Sequence, residues 1–167
     1  LTVLGLREEE SRYGSYAALA EAMMHPGWYD GPAQMRELFT RAVLNVAVGN
    51  TDDHLRNHAA FFDGVGLRLT PAYDVAPQPR STRTASHAIS FGRSGEGSRM
   101  SRFGALVAAS GRFRVQPGEA RDLVDHVVAT IKAHYRDACE QALLTRQEAD
   151  MLWGREFLNP YCFYDED

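Results

Sequence analysis

The strongest constraint on the fold is a core-helix pattern that stops abruptly at a glycine and continues as a run of polar side chains. Met35, Leu38, Phe39, Ala42, Val43, Val46 and Ala47 recur at helical spacing and mark one apolar face. Asp30-Gly31-Pro32 starts this helix, with proline near the first helical position, where its missing N–H is no loss. Gly49-Asn50 ends it, because glycine takes the left-handed cap without a steric penalty. Thr51-Asp52-Asp53-His54-Leu55-Arg56-Asn57 then follows directly on the end of a buried helix. Beyond it, Ala59-Ala60-Phe61-Phe62 reads as a strand and Asp63-Gly64-Val65-Gly66 as a turn. Leu67-Arg68-Leu69 is the return strand, broken by Pro71. A hairpin brings its open ends together, so Asn57 and Asp74 are expected side by side.

Around this centre the pattern is mainly helical. Residues 1–14 read as irregular, and Ser15 caps a helix from Tyr16 to Met24 that Pro26-Gly27 ends. Residues 76–99, rich in Pro, Ser, Thr and Gly, read as loop with a strand at His87–Phe91. Helices are expected at Arg102–Ala109 and over Pro117–Gln141, the latter with Leu123, Val127, Ile131, Tyr135 and Ala138 on one face. Thr145-Arg146-Gln147-Glu148 is a capping box opening a last helix that carries Met151, Leu152 and Phe157. The fold class is therefore mainly α (α+β), with one or two short hairpins, and 167 residues suit a single domain.

Composition excludes several functions. No run of about 18 apolar residues is present, so no membrane contact is expected. A net charge of −4 argues against direct nucleic-acid binding. Cys139 and Cys162 lack C-x-x-C spacing, which argues against a disulfide framework or a zinc site. The charged opening Arg7-Glu8-Glu9-Glu10 is unlike a signal peptide, so the expected location is cytoplasmic. Of the 18 cationic residues, Lys132 is the one lysine.

The polar run has the parts of a phosphoryl-transfer site in the right order. That chemistry uses an Asp to orient the attacking hydroxyl, an Asn for one magnesium ion and a later Asp for the bridging magnesium. Asp52 and Asn57 keep the four-residue gap of the H-R-D-x-x-x-x-N catalytic loop, and Asp74 stands where D-F-G would come. Two other readings compete. Asp52 and Asp53 could simply bond nearby backbone at a helix end, as Asp does in turns. His54 and His58 could ligate zinc beside Asp74 if they shared a helical face, although H-E-x-x-H needs a Glu where Leu55 stands. Gly92-Arg93-Ser94-Gly95-Glu96-Gly97 does not match G-x-G-x-x-G and reads as a loop.

Gly49-Asn50-Thr51-Asp52-Asp53-His54 with Arg56-Asn57, followed by Leu69-Thr70-Pro71-Ala72-Tyr73-Asp74-Val75 and Pro77, closely resembles the C-terminal lobe of HipA-like serine/threonine kinases, the toxins of bacterial toxin–antitoxin pairs. Ser15-Tyr16-Ala17-Ala18-Leu19-Ala20 and Ile89-Ser90-Phe91 resemble that family too. The resemblance implies a protein-kinase-like C-terminal lobe spanning 1–167, with ATP and Mg2+ as cofactors and a protein Ser/Thr hydroxyl as substrate. It makes Asp52 the catalytic aspartate and Asn57 and Asp74 the metal and nucleotide ligands. His54 stands where conventional kinases keep a catalytic-loop lysine, to reach the transferring phosphoryl group or to buttress the loop. An antitoxin protein is the implied partner.

The departures matter as much. No lysine precedes Asp52 to pair the α- and β-phosphates, and no glycine-rich cover is found. The N-terminal nucleotide-binding lobe thus has no counterpart here, and a non-catalytic kinase-like binding module (pseudokinase lobe or split subunit) is the alternative function.

Overall fold

A computed structural model describes residues 2–79, 84–93 and 98–164, with Ser11 and Arg12 as backbone only. Two short 3-10 turns, Thr2–Leu4 and Glu8–Tyr13, occupy the opening segment that the sequence left irregular. Helix α1 spans Tyr16–Ala22, and the Ser15 hydroxyl caps it by accepting the Ala18 N–H at 3.1 Å. Helix α2, Gly31–Val48, is the spine of the core. All seven apolar residues of its predicted face are at most 1% exposed.

Gly49 closes α2 in the left-handed region, φ 73°. Two constraints demand glycine there, since a Cβ would also sit 2.8 Å from the Glu156 carbonyl oxygen. The C-terminal segment therefore presses on the point where the polar run begins. Leu158 N–H donates to the Ala47 carbonyl at 2.7 Å nearby.

Strands β1 (Ala60–Phe62) and β2 (Leu67–Leu69) pair antiparallel, with Phe61 opposite Arg68. The hairpin is moored to α2. The Gln34 side-chain carbonyl accepts the Leu69 N–H at 2.7 Å, and the Arg41 guanidinium donates to the Thr70 carbonyl at 2.7 Å. Its register is thus set from outside as well as by its own three-residue ladder.

Helices α3 (Phe103–Ala109), α4 (Pro117–Gln141) and α5 (Arg146–Leu152) complete the fold. Most of α4 packs on α2 and shares its core, while its last turns hold a separate cluster of Tyr135, Cys139 and Ala149 with Leu144, Leu152 and Phe157. The Thr145–Glu148 capping box forms as expected. No helix among the described residues is long and apolar enough to cross a membrane.

Two expectations need correction. His87–Phe91 is not a strand. Single bridges, Ser86 to Met100 and Ser90 to Ser15, pin it instead, and it drops Ile89 and Phe91 into the core. The Ser90 carbonyl spends its bond on the Tyr16 N–H at 3.0 Å rather than on a partner strand. Phe157 is not on the last helix, which ends at Leu152. Trp153 turns extended and Gly154 takes φ 73°, so Phe157 folds back against Tyr135 at 5.1 Å between ring centroids. Of the expected loop 92–97, residues 94–97 lie outside the described residues.

Candidate active site

The polar run is folded by one apolar anchor. Leu55, 1% exposed, drives into the core at the start of a 3-10 turn, Leu55–Asn57. That turn sorts the side chains around it: Asp52 and Arg56 face solvent, while Asp53 and Asn57 turn inward. Backbone bonds hold the run from both sides. Gln78 N–H donates to the Gly49 carbonyl at 3.0 Å, and Ala88 N–H to the Thr51 carbonyl at 2.9 Å.

The segments that carry Asn57 and Asp74 are tied together at their neighbours. The Tyr73 hydroxyl donates to the Arg56 carbonyl, so the residues directly preceding the two are bonded to each other. Asn57 lines a small cavity of about 10 Å³ together with Tyr73 and Val75, the neighbours that flank Asp74, and with Asp53 and His58. Asn57 as a residue is nearly buried, at 7% exposure, and its side-chain amide has no protein hydrogen-bond partner among the described residues but is not sealed from solvent. The carboxylates of Asp52 and Asp74 are exposed and engaged by no arginine, hydroxyl or backbone N–H there. Asp74 also sits at φ 57°, a left-handed conformation that few residues other than glycine adopt.

His54 is placed differently. Its Nε2 meets the Arg56 guanidinium at 3.2 Å, and that guanidinium also pairs with Glu8 at 2.9 Å. Its Nδ1 is buried without a partner. The contact with Arg56 is compatible with a buttressing role and leaves the reach of His54 toward a phosphoryl group open. His54 and His58 lie at either end of the 3-10 turn, both extended, so they form no shared helical face for zinc.

Sequence reasoning missed the polar network beneath the loop. The Tyr16 hydroxyl donates to the Asp53 carboxylate, which also bonds His58 Nε2 at 3.2 Å. Asn45 donates to the Tyr16 hydroxyl at 3.2 Å. Asn50 donates to the Asn45 side-chain oxygen at 3.0 Å and to the Asp74 carbonyl at 3.3 Å. Burial pushes the Asp53 carboxyl up, but the hydrogen bond and charge of His58, with the Tyr16 hydroxyl, outweigh it and hold the group below its usual range. Burial, then the charge and hydrogen bond of Asp53, push the Tyr16 phenol well above its ordinary value. A signal existed. Asn45 falls three residues after Ala42 and seven after Leu38, on the apolar face of α2, where a polar residue needs a partner.

The chain matches the family profile of the HipA-like C-terminal domain over residues 1–135. It belongs to that family. The fold agrees: a HipA chain from Shewanella oneidensis MR-1, solved with HipB and the operator DNA of its toxin–antitoxin system, superposes with a TM-score of 0.66 at 16% identity. The likeness covers 96% of this HipA-like domain and 37% of that chain, so the domain spans little more than a third of its relative's length. A comparison with curated proteins finds no match. Both the free groups Asp52, Asn57 and Asp74 and the network beneath them fall inside the matched residues.

Proposed function

We propose that this HipA-like domain is the catalytic lobe of an ATP- and magnesium-dependent protein serine/threonine kinase. The observation that carries the reading is the contrast within one loop. Asp53 is consumed by internal bonds, whereas the side chains of Asp52, Asn57 and Asp74 present oxygen donors that no protein group among the described residues satisfies. Hard oxygen donors on anchored backbone suit magnesium, and the Asn57 amide, which meets no protein partner among the described residues, is open to a ligand. Bound there, magnesium would neutralise charge on the ATP phosphates.

The chain's own residues take the following roles. Asp74 and Asn57 hold the metal–nucleotide complex. Asp52, free and facing solvent, orients a Ser or Thr hydroxyl and takes its proton as the hydroxyl oxygen bonds the γ-phosphorus and the bond to ADP breaks. His54 steadies the loop through Arg56. The nucleotide clamp is incomplete, because Lys132, the one lysine, sits on α4. We therefore propose that a separate nucleotide-binding lobe completes it, and that an antitoxin protein binds the whole, as HipB accompanies the similar HipA. The missing clamp also keeps alive a second reading, a kinase-like module that binds without phosphorylating.

The test uses the lobe-complete protein. Asp52→Asn should abolish phosphoryl transfer and leave magnesium-dependent ATP binding by calorimetry intact, while Asp74→Asn should weaken that binding itself. Transfer that survives Asp52→Asn would overturn the assignment. Nucleotide binding without transfer in the parent protein would favour the binding module.

A further inference from the structure

We propose that Asn50 is a positioning residue for Asp74, and that the buried chain Asp53–Tyr16–Asn45 exists to aim its amide. The proposal rests on the metal-ligand role given to Asp74 above, but its structural core is independent of it.

Asp74 holds a left-handed backbone at φ 57°. Asp tolerates that region better than most residues but does not prefer it, so something must hold it there. The group in place is the Asn50 side-chain amide, 3.3 Å from the Asp74 carbonyl. A carbonyl hydrogen-bonded on one side of a strained residue fixes the peptide plane, and with it the direction in which the Asp74 side chain leaves the loop.

The donors and acceptors along the chain run one way. Asn50 spends its two amide protons on Asp74 and on the Asn45 oxygen. Asn45 then donates to the Tyr16 hydroxyl, and Tyr16 donates to Asp53, which His58 also contacts. Each member is oriented by the next, and the series ends on a carboxylate only 2% exposed. A side chain that inaccessible cannot touch a substrate. Nor does the Asn50 side chain hold its own loop. Backbone bonds already do so, from Asn50 N–H to the Asn45 carbonyl at 2.9 Å and to the Gly49 and Thr51 carbonyls from Gln78 and Ala88. With one amide proton on Asn45, the other is left to serve Asp74.

The test is an Asn50→Leu variant of the chain, with Asn50→Ser, whose side chain is too short to reach both partners, should the first fail to fold. The first readout is the Asp74 Cα and Cβ chemical shifts, which report its backbone region. Loss of the left-handed values is expected, and their retention in a folded variant overturns the proposal. The second is a stability cycle. Glycine takes positive φ unaided, so the drop in Tm caused by the Asn50 change should shrink markedly in an Asp74→Gly background. Additive drops overturn the coupling. The third is Mn2+ affinity, expected to weaken about tenfold, as when a group orienting a metal ligand is removed. If the first two readouts behave as stated but the parent chain binds no Mn2+ at Asp74, the kinase reading falls and the positioning role stands. If the parent binds Mn2+ and the Asn50 variants bind it equally well, the positioning role falls and the kinase reading stands.

Discussion

Two parts of this domain solve the problem of burial in opposite ways. Beneath the loop at the end of α2, the interior is polar: Asn45, Asn50, Asp53 and Asn57 are each no more than 7% exposed and packed among Leu55 and the α2 core. At the far end of α4 the interior is a small aromatic cluster in which Tyr135 meets Trp153 and Phe157 at 4.7 and 5.1 Å. There the hydroxyl of Tyr135 finds one backbone acceptor, the Ala149 carbonyl at 2.7 Å, and the rest is packing. A polar interior costs desolvation energy that apolar packing does not, so it is kept where directed bonds are needed. The family match ends at residue 135, where the apolar cluster begins.

The largest effect should come from cutting the polar side of this comparison. Asp53→Ala strands the Tyr16 hydroxyl and His58 in the interior and should lower stability by about 3 kcal/mol, the range for breaking a buried pair. Urea unfolding would check it, and a loss under 1 kcal/mol, on the order of one ordinary hydrogen bond, would mean that the network holds nothing. Gly49→Ala ranks next. It forces an L-residue into φ 73° and against the Glu156 carbonyl, and about 2 kcal/mol is expected from strain of that kind. On the apolar side, Tyr135→Phe removes one hydrogen bond and keeps the ring. It should cost about 1 kcal/mol, and a loss as large as that of Asp53→Ala would erase the contrast. Smallest of all is Asp52→Asn, which touches nothing in the fold and should stay within about 0.5 kcal/mol.

The two neighbours Asp52 and Asp53 are thus opposites, one silent in stability and one central to it. The pH dependence sharpens the point. The folded state holds Asp53 below its ordinary value of 3.8. Its contribution is therefore fully present above that value and lost as pH falls through the folded-state pKa below it. Tyr16 is held above its ordinary 10.0, so its contribution is present below pH 10 and fades as pH rises beyond it. Asp53→Asn should flatten the acid limb of a Tm–pH curve and Tyr16→Phe the alkaline limb. An unchanged acid limb in Asp53→Asn would contradict the pairing.

The helices were legible in the sequence because their signals are local. The α2 face, the Gly49 cap, the Thr145 capping box and the span of α4 each follow from spacing a few residues long. The hairpin was legible for the same reason. His87–Phe91 is not a strand because its apolar side chains record burial in the core beside α1, not pairing with a strand. The network beneath the loop links residues 16, 45, 50, 53 and 74, and no local pattern encodes a bond across 37 positions. Nor does spacing tell Asp52 from Asp53. That choice is made by Leu55, whose burial turns one carboxylate out and the other in.

The central claim is that Asn57 and Asp74 hold one metal ion beside a free Asp52. A Mn2+ titration of the chain followed by NMR tests it most directly, because paramagnetic broadening reports which residues surround the ion. The account predicts that signals of residues 52–57 and 72–76 broaden together at low Mn2+ and that Asp74→Asn removes the effect. Broadening spread over other acidic surface positions, unchanged by Asp74→Asn, would contradict it.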